Sequence, residues 1–158
     1  MFARISLLAV SLILGFCALG VFSGPLANAE LSRRQIGDYQ CNVDRLFVTM
    51  DVPQIISNVE KLASAGASDP AVTNATTTAL EGLDSAQQAI DTIIHALFEG
   101  QTVPADARKQ VEQGLITAQD SLDSIHSTDT AVISALSDAQ TTLQNAELAL
   151  QGIVVNCK

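Results

Sequence analysis

From about residue 42 onward, apolar residues recur every three or four positions, which is the spacing of one face of an α-helix. The steps of four and three repeat over several turns, as in helices that pack side by side. Short breaks with glycine or proline separate four such segments, and no run alternates between apolar and polar residues as a strand does. The pattern predicts an all-α protein, an antiparallel up-down four-helix bundle.

The first helical segment covers about residues 42–65 and ends at Gly66. Pro53 lies inside it and cannot donate to the helical hydrogen-bond ladder. We therefore expect a kink there, or a break followed by a restart that Asp51 caps. The large apolar residues before the proline predict a stripe on one helix face, consisting of Val43, Leu46, Phe47 and Met50.

The other three helices begin at residues that favour helix N-termini and end at residues that interrupt helices. The predicted boundaries are a start at Asp69–Pro70, a stop at Gly100, a start at Pro104 and a cap at Ser127 or Thr128.

Along the predicted helix seams, alanines alternate with leucines and isoleucines, and two interpretations are open. Small residues can let helices approach closely and give a solid core. Alternatively, facing alanines can leave an elongated apolar slot between helices, long enough for a fatty acyl chain. The residues predicted to line such a slot are Ala79, Leu83, Ala86, Ile90, Leu122, Ala139, Leu143, Ala146 and Leu150.

The N-terminal part has the features of a secretory signal peptide over residues 1–29. Arg4 precedes an apolar run, and Ala27-Asn28-Ala29 resembles a cleavage site. The alternative is a membrane anchor, but the run is near the lower limit for a span. Residues 30–34 end in the pair Arg33–Arg34, which predicts a propeptide removed by a dibasic-cleaving protease. The alternative is a basic leader that stays on the protein. We expect one secreted domain, residues 35–158, with the cell wall as one expected location and no integral membrane span after processing.

Two cysteines remain after the signal, Cys41 and Cys157, one near each end of the domain. In an up-down four-helix bundle the first helix begins at the end where the fourth finishes, so both cysteines reach the same end. An even pair in an oxidising compartment is expected to be bonded. The sequence predicts a disulfide that joins the two ends of the bundle.

The chain is acidic, with a formal net charge of −9. Such a surface repels nucleic acid, so no nucleic-acid partner is expected. Asn74 begins an Asn-Ala-Thr sequon and is a predicted glycosylation site.

No motif for a catalytic nucleophile, phosphate loop or cofactor is present, so we expect a non-enzyme without cofactor. Asp91, His95 and Glu99 share one helix face, but a metal site needs more ligands at defined geometry. We interpret these three residues as a solvated surface and expect no metal.

The stretch from Arg33 to Val43, with the sequence RRQIGDYQCNV, resembles the start of small secreted proteins of filamentous fungi. With the Ala-, Thr-, Leu- and Gln-rich helices that follow, the chain is similar to the fungal hydrophobic-surface-binding protein A and cell-wall galactomannoprotein group. The resemblance implies adsorption to hydrophobic surfaces, attachment in the cell wall and lipid binding in a helical bundle. The predicted slot between the helices adds a fatty-acid-like ligand as an expected partner. The alternatives are a structural wall glycoprotein and a secreted helical enzyme inhibitor.

Overall fold

A computed structural model describes residues 39–157. This part of the chain is four α-helices with no strand, as predicted. The helices are α1 (Tyr39–Ala65), α2 (Pro70–Phe98), α3 (Ala105–Asp123) and α4 (Thr130–Asn156).

Short connections make each helix run antiparallel to the one before it. The closest packing is between α1 and α4 and between α2 and α3, and the α3–α4 contact is the least extensive between neighbouring helices. A disulfide joins Cys41 at the start of α1 to Cys157 after the end of α4, which confirms the predicted pairing. We call this end the disulfide pole. It also contains the end of α2 and the start of α3.

Two aspartates cap helix N-termini. The Asp69 carboxylate accepts a hydrogen bond from the Ala71 amide at 2.8 Å, with Pro70 as the first helical residue, as predicted. At α4 the cap is Asp129, which accepts from the Ala131 amide at 2.7 Å. The prediction of Ser127 or Thr128 as this cap was wrong, because the Asp129 carboxylate is the acceptor placed next to the unpaired amides of the first turn.

The structure corrects two expectations for the first helix. Of the two alternatives at Pro53, the restart capped by Asp51 does not occur, because the helix continues through the proline. The predicted stripe does not face the core, because Leu46, Phe47 and Met50 are all more than half exposed.

The buried face of α1 is set by other positions and includes an acidic residue. Asp44 is buried, and its carboxylate accepts hydrogen bonds from the Asn156 amide at 2.8 Å and from the Gln40 amide at 3.0 Å. A buried charge that is hydrogen-bonded in this way can be tolerated in a core. Because Asn156 belongs to α4, this polar contact fixes the register of α1 against α4 beside the disulfide.

The middle of the bundle is densely packed around small residues. A Cβ atom built on Gly82 of α2 would lie 2.8 Å from the carbonyl oxygen of Gly114 on α3. A Cβ atom built on Gly114 would meet the Gly82 oxygen even more closely and would lie 2.8 Å from the Cβ of Ala86. The two backbones therefore touch at this crossing, which only glycine permits.

Candidate ligand pocket

A cavity of about 430 Å³ opens at the disulfide pole, and all four helices contribute to its walls. Its volume lies within the range of about 300–1,000 Å³ that is typical of sites for small molecules. The aliphatic residues of its lining are Val48, Ile90, Ile93, Ile94, Leu97, Val103, Val111, Leu150, Ile153 and Val154.

The degree of burial changes along the helix seams toward the cavity. In the middle of α2, Gly82, Leu83 and Ala86 are buried, and the glycine lets the backbone of α3 approach closely. Toward the C-terminal end of α2 the inward positions carry branched side chains, among them Ile93 and Ile94, which are only partly buried. At the pole, aliphatic side chains from all four helices line a space that they do not fill. The result is a pocket with apolar walls and an opening to solvent.

The predicted slot and the observed pocket overlap at two residues, Ile90 and Leu150. The other seven predicted residues lie at 2% exposure or less in the interior of the bundle. Facing alanines therefore bring the helices together, as the solid-core interpretation expected. The cavity lies nearer the ends of the helices, at the disulfide pole.

Charged residues at the pocket have the opposite sign from the rest of the protein. Residues 39–157 contain four lysines and arginines, and three of them line the pocket: Arg45, Arg108 and Lys109. Among the fifteen aspartates and glutamates of the same part of the chain, only Glu112 lines it. The mouth of an apolar pocket in an acidic protein thus has a net positive charge. Sequence reasoning missed this feature because Arg45 and Arg108 are more than sixty residues apart and on different helices.

Two of these cations influence each other across the pocket. Arg45 comes from α1 and Arg108 from α3, which are diagonally opposed helices in the bundle. Partial burial lowers the pKa of the Arg45 guanidinium, and the positive charge of Arg108 lowers it further. The second effect indicates that the two guanidinium groups are near enough to repel each other.

Exposed apolar side chains are concentrated around the same pole. Among the described residues, ten large hydrophobic side chains are exposed, and eight of them belong to the first twelve residues of α1 or the last turns of α2 and α4. These eight, which we call the apolar collar, are Tyr39, Leu46, Phe47, Met50, Phe98, Leu148, Val154 and Val155. Where exposed apolar side chains form a contiguous surface, that surface often marks an interaction site.

The other predicted sites lie away from the pocket or outside the described residues. Asn74 is exposed in the first turns of α2, and its glycosylation stays a prediction. Asp91, His95 and Glu99 are exposed, and no group of three potential metal ligands occurs among the residues that the structure describes. The processing pair Arg33–Arg34 and the signal peptide lie outside the described range. Between residues 39 and 157, no helix is long and apolar enough to cross a membrane.

Comparison of the chain with protein-family models, curated proteins and solved structures gives no match. The resemblance to the hydrophobic-surface-binding group therefore stays a prediction from the sequence.

Proposed function

We propose that this protein is a non-catalytic binder of lipid-like ligands, whose acyl chain enters the pocket at the disulfide pole. The observation that supports this most is the pocket itself, which is lined by aliphatic residues from all four helices. Each buried methylene of a ligand contributes about 0.8 kcal/mol to binding. A single long chain therefore gains enough from burial to offset the cost of being ordered.

Uptake of a neutral probe by the purified full-length protein tests this proposal. The probe is lauryl alcohol, which has a long apolar chain and no charge, and its binding is measured by competition with an environment-sensitive neutral dye. We expect saturable binding at one site. Ile153→Trp places a large ring in the pocket wall and should weaken binding about tenfold or more.

The matched control is Ile133→Trp, which makes the same change on the same helix. Ile133 is about half exposed and does not line the pocket. This variant should bind the alcohol as the wild-type protein does. If the wild type takes up no lauryl alcohol, or if both variants lose binding equally, the pocket is not the ligand site.

The apolar collar favours a second function, which is adsorption of the intact bundle to hydrophobic surfaces. Its eight side chains surround the pole and are already exposed. Adsorption by this route does not require the helices to separate at Pro53, where α1 is continuous.

Depletion of the protein from solution by hydrophobic beads tests the second function. Replacing Phe47, Met50 and Phe98 together by serine removes three collar side chains and should reduce adsorption strongly. The control replaces Ile116 and Ile133 by serine. These are the large exposed hydrophobic residues of the described part of the chain that lie outside the collar, and their loss should reduce adsorption little. Equal losses in both variants would contradict a role for the collar.

A further inference from the structure

We infer that the pocket selects amphiphiles with an anionic head group, which Arg45, Arg108 and Lys109 bind at its mouth. This inference rests on the proposed function, because it assigns the head group of a ligand whose chain occupies the same pocket. The ligand class it names is a single apolar chain that ends in a negatively charged oxygen group, such as a carboxylate.

The distribution of charge is the first argument. The protein has a formal net charge of −9, so an anion is repelled by most of its surface. Three of the four basic residues within 39–157 nevertheless line one cavity, and they come from two helices. The basic residue that does not line it is Lys61, an exposed residue whose ammonium donates to the Asn58 amide oxygen at 3.3 Å.

The position of the two arginines is the second argument. Arg45 and Arg108 line one cavity from diagonally opposed helices, and the charge of Arg108 lowers the pKa of Arg45 there. An anion bound in that cavity is attracted by both guanidinium groups. Arginine is also the side chain best suited to this task, since its planar guanidinium can donate two parallel hydrogen bonds to a carboxylate.

Glu112, the acidic residue of the lining, limits how strongly the pocket attracts an anion. Glu112 is exposed on α3 four residues after Arg108, which places the two side chains on one helix face. It offsets one of the three positive charges, and the lining keeps a net charge of the sign that attracts an anion. Removing Glu112 is therefore expected to strengthen anion binding, whereas removing either arginine weakens it.

Because the lining combines apolar walls with cations, it fits an amphiphile better than a free anion. The aliphatic side chains line the interior of the pocket, and a small anion would leave them without a partner. A fatty acid satisfies both parts of the lining at once. Burial of the ligand's acyl chain supplies affinity, and the head group determines which ligands the pocket retains.

The test compares three ligands with the same chain on the full-length protein: laurate, lauryl alcohol and lauryl trimethylammonium. We expect laurate to bind about ten- to hundredfold more tightly than the alcohol, as charge-assisted hydrogen bonds contribute in other sites. The cationic ligand should bind most weakly. Arg108→Met keeps an apolar stem in the wall and should remove most of the preference for laurate, which is measured as the ratio of the laurate and alcohol affinities.

Three further variants make the result specific. Arg45→Met should act as Arg108→Met does, Glu112→Gln should raise laurate affinity, and Lys61→Met, a basic residue outside the pocket, should change nothing. Circular dichroism verifies that each variant is folded. Equal affinity for laurate and the alcohol in the wild type would overturn this inference and leave the proposed function intact. Failure to bind any of the three ligands would overturn both.

Discussion

In the middle of the bundle, the backbones of α2 and α3 touch at Gly82 and Gly114. At the disulfide pole, aliphatic residues of the four helices, mostly isoleucine, leucine and valine, enclose a pocket instead. Both regions belong to the same helices and continue the same heptad spacing. The middle combines glycine and alanine with large residues that are almost fully buried, such as Leu83 and Leu115, whereas several aliphatic residues at the pole are only partly buried. In the middle the small residues let the backbones approach until the large ones fill the remaining space, and at the pole a space stays unfilled.

The two regions also differ in what stabilises them. The middle depends on dense contacts among residues with almost no exposure, such as Leu83 and Ala139. The pole has a cavity, half-buried aliphatic residues and exposed apolar side chains, and it is fastened by the disulfide and the hydrogen bonds of Asp44. A region with a cavity is not packed to full density, so covalent and polar links take over part of the stabilisation.

The largest loss of stability is expected from removing the disulfide at the pole. Replacing Cys41 and Cys157 together by serine opens a loop with a sequence separation of 116 residues. The free energy of unfolding should fall by about 2–5 kcal/mol, because the unfolded chain gains freedom. Urea unfolding measures the change, and reduced wild-type protein should behave like the variant. If the variant unfolds at the wild-type urea concentration, packing rather than the disulfide holds the pole together.

The second-largest loss of stability is expected at the crossing of α2 and α3 in the middle of the bundle. Gly114→Ala places a methyl group against the Gly82 carbonyl oxygen and the Ala86 side chain, so the backbones must separate. We expect a loss of about 1–3 kcal/mol in the free energy of unfolding. The control is Gln113→Ala at the adjacent exposed position, where alanine should have little effect. A neutral Gly114→Ala variant would show that the crossing is looser than the structure indicates.

A matched pair of enlargements compares the two regions directly. Ala86→Leu adds volume where no atom can be accommodated, and it should cost about 1–3 kcal/mol in unfolding free energy. Ile94→Phe adds volume to the pocket wall, and it should change stability by less than about 0.5 kcal/mol. Thermal unfolding of both variants gives the comparison. Similar losses at both positions would mean that the pole is packed as tightly as the middle.

The sequence was sufficient to predict the four helices, the Asp69 cap and the disulfide, because each follows from local spacing or from topology. It was misleading at α1, where Leu46, Phe47 and Met50 suggested a core stripe and Asp44 was not recognised as buried. Periodicity shows that a helix has an apolar face, but not which face its neighbours cover. Asp44 becomes a core residue only through Asn156, which lies 112 residues away.

The pocket could not have been located from the sequence for a similar reason. The alternation of small and large residues was visible, but whether small residues leave a space or close it depends on how far the backbones can approach. That distance is decided by contacts such as Gly82 against Gly114 on another helix. The clustering of Arg45 with Arg108 is likewise a property of the assembled bundle, since nothing in either local sequence indicates it.

The smallest change in stability is expected at Glu147, where the cause is electrostatic and the site lies away from the pocket. Partial burial raises the pKa of the Glu147 carboxyl on α4, and the negative charge of Asp123 raises it further. A carboxyl whose folded-state pKa exceeds its ordinary value of 4.5 destabilises the folded protein above that folded-state pKa, and the penalty disappears as the pH falls below 4.5. Glu147→Gln should therefore raise the free energy of unfolding at neutral pH. Because Glu147 is only partly buried, solvent screening limits the gain to about a few tenths of a kcal/mol.

The pH dependence separates this effect from a change in packing. The difference between Glu147→Gln and wild type should be present at pH 7 and vanish near pH 4, as measured by urea unfolding at both values. Glu81→Gln, an exposed substitution on α2, controls for the loss of one negative charge from an acidic protein. Asp123→Asn should reduce the gain from Glu147→Gln, because one of the two causes of the raised pKa is then absent. A stability difference that is the same at both pH values would assign the effect to side-chain packing and would remove Glu147 from the electrostatic description of the bundle.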